Sequence, residues 1–161
     1  MFGFGKKATP AEDEALYSPV TGNVIELSAV SDPVFAGKMM GDGFAVEPSA
    51  QEIVAPVAGR ITMLQGHAIG ITRFDGLEVL LHMGIDTVSL NGAPFTIKVT
   101  EGELVEGGQT LGAADWDQVE KAGLPKTTMV LITNTADRLD QLNVTVGEVY
   151  GGAVVGQATA K

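Results

Sequence analysis

The 161-residue chain carries 45% hydrophobic and 19% charged residues, a globular mix long enough for one domain with its own core. Its net charge of −10 argues against nucleic acid, whose phosphates need Lys and Arg, and favours a basic protein partner. The absence of cysteine excludes a disulfide framework, a thiolate metal site and a thiol nucleophile, and no apolar run reaches the ~20 residues of a membrane span.

In chain order, residues 1–15 read as a tail and residues 16–161 as a single domain. Phe2, Phe4, Lys6 and Lys7 offer at most a marginal contact with an anionic membrane surface. No signal peptide is visible. From Tyr17 onward, short apolar stretches alternate with turn signals, and the 21 glycines fit many short strands joined by tight turns. Ser18–Val24 (SPVTGNV) and Ala55–Ile61 (APVAGRI) share the pattern x-P-V-x-G-x-[V/I], which predicts two similar hairpin units packed face to face. Val99–Leu111 reads as strand, Gly-rich turn and strand. Helix is expected over Trp116–Ala122, with Asp115 as N-cap and Gly123 as stop, and as one turn over Thr135–Asp140. The expected fold is all-β, an antiparallel β-sandwich or flattened barrel with one or two short helices.

Both histidines, His67 and His82, fall in HAIGITRFDGLEVLLHMG (67–84). Asp75-Gly76 is a two-residue hairpin signal, because a type I′ turn needs positive φ at both positions. That turn pairs Arg73 with Glu78, Ile71 with Leu80 and Ile69 with His82. Alternation then puts His67, Ile69, Ile71 and Arg73 on one face with Glu78, Leu80 and His82. The imidazoles become diagonal neighbours, ~7–8 Å apart at the backbone and within reach of contact. Arg73 and Glu78 form a cross-strand ion pair. Three functional readings follow. A metal site lacks a third ligand at a useful spacing. A hydrolytic dyad lacks a nucleophile elbow. A phosphoryl relay needs one imidazole as nucleophile, a second to steady the phosphoryl oxygens and an apolar rim against water, and it uses every feature of the segment.

The runs HAIGI (67–71) and LLHMGIDTVSLNG (80–92), with SDPVFAGKMMGDGFAVEP (31–48), VAPVAGRI (54–61), the EGE…GGQTL segment (101–111) and VLITN (130–134), carry a resemblance. From about Tyr17 to about Val149 the chain resembles the glucose-family enzyme IIA of the bacterial phosphoenolpyruvate-dependent sugar phosphotransferase system. The resemblance implies a sandwich of duplicated hybrid-motif type and a phosphotransferase component with a phosphohistidine intermediate, working in the cytoplasm. Phosphorylated HPr would dock, and His82 would attack phosphorus in line through Nε2. The phosphoryl group would then pass to a cysteine on the IIB domain of a sugar permease. His67 would contact the phosphoryl oxygens in the transition state, and the Gly84 carbonyl would hold Nδ1–H of His82.

Asp32 and Asp86 match carboxylates that flank the family's site. Val34, Phe35, Met39, Met40, Met63, Leu80 and Val88 match its apolar docking ring, although the residues alone leave open whether these seven are surface or ordinary core. Gln65 stands where a threonine orients the second histidine in the best-known branch, so Gln65 is the expected orienter of His67. Met63 and Leu80 replace aromatic rim positions, and Ser89 replaces an acidic one. No cofactor is implied as required. The family leaves room for zinc held by His67, His82 and a partner's carboxylate, and for regulatory targets on the same face. A rival is a biotinyl or lipoyl carrier, which shares the Pro-Val-x-Gly repeats and the Glu101–Leu111 pattern. Its modified lysine would be Lys38, before Met39, yet AGKMMGDG is not the tight E-x-x-K-M hairpin and both histidines would stand idle.

Overall fold

Apolar alternation broken every few residues by Gly or Pro folds residues 9–161, the part described by the computed structural model, into short antiparallel strands. Phe2, Phe4, Lys6 and Lys7, the expected membrane contact, lie outside the described residues. The strands are β1 (Ala15–Tyr17), β2 (Gly22–Glu26), β3 (Asp42–Pro48), β4 (Glu52–Val54), β5 (Gly59–Gln65), β6 (Ala68–Thr72), β7 (Glu78–Met83), β8 (Phe95–Ile97), β9 (Leu104–Val105), β10 (Thr110–Ala114), β11 (Thr128–Ile132), β12 (Leu139–Val144), β13 (Gly147–Val149) and β14 (Val154–Ala160). An eight-stranded sheet in the order β13-β2-β3-β11-β7-β6-β5-β9 meets two three-stranded sheets, β1-β14-β12 and β4-β10-β8. Sheet pairing begins at Ala15, opposite Gln157, so the last residue assigned to the tail already belongs to a strand.

The two Pro-Val-x-Gly segments meet at the centre as a near-symmetric pair. Val54 N donates to Pro19 O and Tyr17 N to Pro56 O, each at 2.8 Å. Ser18 N donates to Ala153 O and, in the matching place, Ala55 N to Gln109 O. Val20 and Val57 are fully buried in the main core. The two repeat segments therefore lie against each other and make matching backbone hydrogen bonds.

Cross-strand register decides what each face carries. Ile69, Leu81, Val130 and Phe44 form one row, and their side chains point into the main core. The next row is Ala68, His82, Met129, Ala45 and Ile25, which points the other way. On that outer face a second, smaller core gathers Leu27, Val30, Ala45, Ile85, Met129 and Leu131, with Phe35 and Leu80 packed against it. Its cover is a 3-10 turn, Leu27–Ala29, followed by helix α1 (Pro33–Ala36). The Asp32 carboxylate caps α1 through Val34 N at 2.9 Å, and Pro33 sits where its missing N–H costs nothing.

Two expectations need correction. The 73–77 turn is not the two-residue type: Gly76 N donates to Arg73 O and Arg73 N to Leu77 O, leaving Phe74, Asp75 and Gly76 as a three-residue loop with Gly76 at φ +88°. The added residue shifts the register by one. His82 consequently faces Ala68, not Ile69, and Thr72 rather than Arg73 faces Glu78. Arg73 points inward and pairs with Asp75, so the Arg73–Glu78 ion pair does not form. The helix at Trp116 is present as α2 (Trp116–Lys121), with Asp115 at the N-cap position and Gly123 at φ +77° beyond its end. The turn at Thr135 is α3 (Thr135–Arg138), and α1 was not expected.

Candidate functional site

The two imidazoles meet, although they reach each other from different hairpins. Gln65 pairs with Ala68, so Gly66 and His67 form the two-residue tip between β5 and β6. His82 stands on β7, opposite Ala68. Strand alternation no longer binds His67 at that tip, and its ring swings over to His82. The ring centroids are 5.0 Å apart at an interplanar angle of 75°. The backbones are joined as well, because Met83 N donates to His67 O at 2.9 Å. On its other side His82 meets Phe35 of α1, ring centroid to ring centroid 5.2 Å.

His82 Nδ1 lies 2.8 Å from Gly84 O. A carbonyl oxygen can only accept, so Nδ1 carries the proton and Nε2 keeps its lone pair. Burial pushes the pKa of His82 below its ordinary 6.5. The Gly84 carbonyl pulls it back up, the adjacent His67 lowers it further, and Asp86 and Asp32 raise it. Burial also lowers His67, which is only 8% exposed. Neither ring nitrogen of His67 has a hydrogen-bond partner among the described residues.

Around the pair, none of the nine expected docking residues is buried. Val34, Met39, Met40, Asp86 and Val88 are exposed, with Met39 at 76% and Val88 at 62%, while Asp32, Phe35, Met63 and Leu80 are half-buried. Val34, Met39, Met40 and Val88 are thus surface residues, whereas Phe35 and Leu80 also pack on the outer core. Asp32 and Asp86 both act electrostatically on His82. Gln65 is the exception: it is exposed at the end of β5 and makes no hydrogen bond to His67. The threonine role carried onto Gln65 is therefore not filled in this structure. Ser89 donates to Asp86 O at 2.9 Å and closes the turn that carries Asp86.

A family model, the phosphoenolpyruvate-dependent sugar phosphotransferase system, EIIA 1, matches residues 14–138. The chain belongs to that family. This EIIA chain is 40% identical over 149 residues to the glucose-specific EIIA component of Bacillus cereus, covering 91% of this chain and 88% of that one. It is 51% identical over 123 residues to the glucose-specific EIICBA component of Streptococcus pneumoniae, of which it spans 17%. Among solved structures, glucose permease IIA from Mycoplasma capricolum superposes with a TM-score of 0.77 at 37% identity, covering 88% of this chain and 93% of that one. The EIIA chain is accordingly a phosphoryl carrier of the phosphotransferase system, a transferase component with the antiparallel sandwich fold of its relatives.

The carrier reading that needed Lys38 finds no support. Lys38 lies beyond α1 with φ +62°, and its ammonium is 3.6 Å from the Asp42 carboxylate. Among the described residues no group of three or more His, Cys, Asp or Glu is placed to hold a metal, and no helix is long and apolar enough to cross a membrane. A hollow of about 560 Å³ lined by Glu12, Asp13, Glu14 and Phe74 contains no histidine. Sequence reasoning missed the loop that holds Gly84, where Ile85 N donates to Pro125 O and Thr87 Oγ1 to Met83 O.

Proposed function

We propose that His82 is the phosphoryl acceptor and His67 the group that steadies the phosphoryl in transit. Nε2 of His82 attacks phosphorus on the phosphohistidine of HPr. The new N–P bond forms as the old one breaks, and its electron pair returns to the donor's imidazole. In the second half, a thiolate on a permease IIB domain attacks phosphorus and His82 leaves. His67, buried beside the nucleophile and without a hydrogen-bond partner among the described residues, donates to the phosphoryl oxygens. The observation that carries this reading is the 2.8 Å contact from His82 Nδ1 to Gly84 O, which commits the tautomer to a free Nε2.

The partners share one face. Val34, Phe35, Met39, Met40, Met63, Leu80 and Val88 supply apolar contact that excludes water from the N–P bond, and methionine adapts to more than one surface. Asp32 and Asp86 attract a basic rim. The work is done in the cytoplasm, and a glucose permease is the first acceptor to test, since the Bacillus cereus relative is named glucose-specific and the Mycoplasma capricolum one glucose permease IIA. Zinc shared between the two histidines and a partner's carboxylate is a secondary proposal, supported by the free His67 nitrogens and tested by calorimetric titration with and without the partner.

Incubation with phosphoenolpyruvate, enzyme I and HPr is expected to label one acid-labile, base-stable position. His82→Ala should abolish the label. His67→Gln should still accept it but pass it on roughly a hundredfold more slowly, the usual effect of losing one transition-state donor. Label that persists in His82→Ala refutes the assignment.

A further inference from the structure

The carbonyl that fixes the tautomer of His82 is itself held in place. Gly84 lies at φ +78°, a conformation that turns its carbonyl back toward the strand it has just left. Three hydrogen bonds fasten the peptides on either side: Met83 N to His67 O at 2.9 Å, Ile85 N to Pro125 O at 3.1 Å, and Thr87 Oγ1 to Met83 O at 2.5 Å. Two of the three are backbone pairs that no substitution of a side chain removes. Thr87 provides the third, and it is fully buried. Its methyl group closes the space beside Gly84, where an added Cβ would come within 2.5 Å of Thr87 Cγ2.

We propose that Thr87 is a positioning residue for phosphoryl transfer, holding the Met83–Gly84 peptide so that Gly84 O stays on Nδ1 of His82. The proposal rests on His82 as the acceptor. Gly84 O belongs to the next peptide, and its direction follows φ of Gly84, which changes when the Met83–Gly84 peptide plane turns with the Met83 carbonyl. With Oγ1 on that carbonyl the rotation is blocked. Without it, Gly84 O drifts from Nδ1, and the imidazole proton is free to sit on Nε2, the atom that must attack. The Thr87 hydroxyl donates to Met83 O and not to the His82 ring, so it acts through the Met83–Gly84 peptide.

Hydroxyl and methyl separate cleanly by substitution. Thr87→Val keeps a filled space and loses the hydroxyl; Thr87→Ser keeps the hydroxyl and loses the methyl. Nitrogen-15 spectra of His82 at pH 7.5, taken without any phosphoryl donor, should show a proton on Nδ1 in the native chain and in Thr87→Ser. Thr87→Val should show mixed tautomers. Its kcat for accepting phosphoryl from HPr should fall about tenfold, the scale of one hydrogen bond lost from the reacting geometry, at unchanged KM. If the Val variant does not fold, Thr87→Ala against Thr87→Ser gives the same comparison, since the two differ only by the hydroxyl. An unchanged tautomer or an unchanged kcat in the hydroxyl-free variant overturns the proposal, as does an equal loss in Thr87→Ser. The tautomer measurement needs no phosphorylation, so a failure of His82 as acceptor would show separately, as label surviving in His82→Ala.

Discussion

Burial weakens proton binding at both imidazoles, and the consequences reach kinetics and stability together. A nucleophilic Nε2 needs the neutral ring, so the rate of phosphoryl acceptance should rise with pH and level off below pH 6.5, the ordinary histidine value. A pH–rate profile with its midpoint above 6.5 would contradict this. Stability follows the same sign. The unfolded chain takes up protons near pH ~6.5, while the folded rings wait until lower pH, so the unfolded state binds more protons in between. Stability is fully present above pH ~6.5, declines as pH falls through the window down to the folded pKa values, and then flattens. Urea titrations at stepped pH should show that decline, and His82→Gln should shrink it. At this scale the sequence was informative where chemistry is rare. Two histidines in one hairpin-rich segment announced themselves, whereas Gln65 did not. A side chain beside a turn can point to either side of it, and only the folded hairpin shows Gln65 exposed and unbonded to His67.

Register shows how an element can carry the right residues in the wrong phase. Asp75-Gly76 signalled a turn correctly, but the same dipeptide serves a three-residue loop in which Gly alone takes positive φ. The hydrophobic pattern held the correction: Ile69 and Ile71 with Leu77, Val79 and Leu81 make one apolar face, leaving Ala68, Gly70, Thr72, Glu78 and His82 on the other. Arg73 was hidden by the same error. Its guanidinium is 0% exposed and holds both Asp75 oxygens, with Nη2 also donating to Ala158 O at 2.9 Å and Nη1 to Glu14 O at 3.4 Å. This one fork ties the β6–β7 hairpin to β14 and to the residue before β1. Arg73→Lys keeps the charge but cannot make the fork, and should cost about 2–4 kcal/mol in urea unfolding, with amides of β1 and β14 exchanging faster. A loss below ~0.5 kcal/mol, the level of an exposed pair, would show that the fork contributes nothing. Helix α1 was illegible for a different reason. Four residues carry no period, and only the cap of Asp32 and the outer core beneath Phe35 make it form.

At the scale of the whole chain, the short apolar stretches and the spread of glycines foretold an antiparallel β fold with few helices, because strand-and-turn spacing survives without knowledge of contacts. The outer core under α1 was not foretold, since Ala45, Met129 and Leu131 look like any buried strand residues until the sheet assigns them a face. If that face is the docking face proposed above, it would meet its partners with a net charge of −10 on the chain. Long-range attraction of this kind is screened as the Debye length shrinks from ~10 Å at 0.1 M to ~3 Å at 1 M salt. The KM for phosphorylated HPr should therefore rise several-fold over that range. At saturation kcat should stay nearly constant, because His82, Gly84 and His67 lie within a few ångströms of one another, well inside a Debye length. Asp32→Asn with Asp86→Asn isolates the local share of this effect. Asparagine still caps α1, and it tolerates the left-handed backbone at Asp86, φ +63°, so charge changes while both backbones keep their shape. In that double variant KM should start higher and respond less steeply to salt. An unaltered salt slope would instead assign the attraction to the remaining acidic surface, and the two carboxylates beside His82 would act on its proton alone.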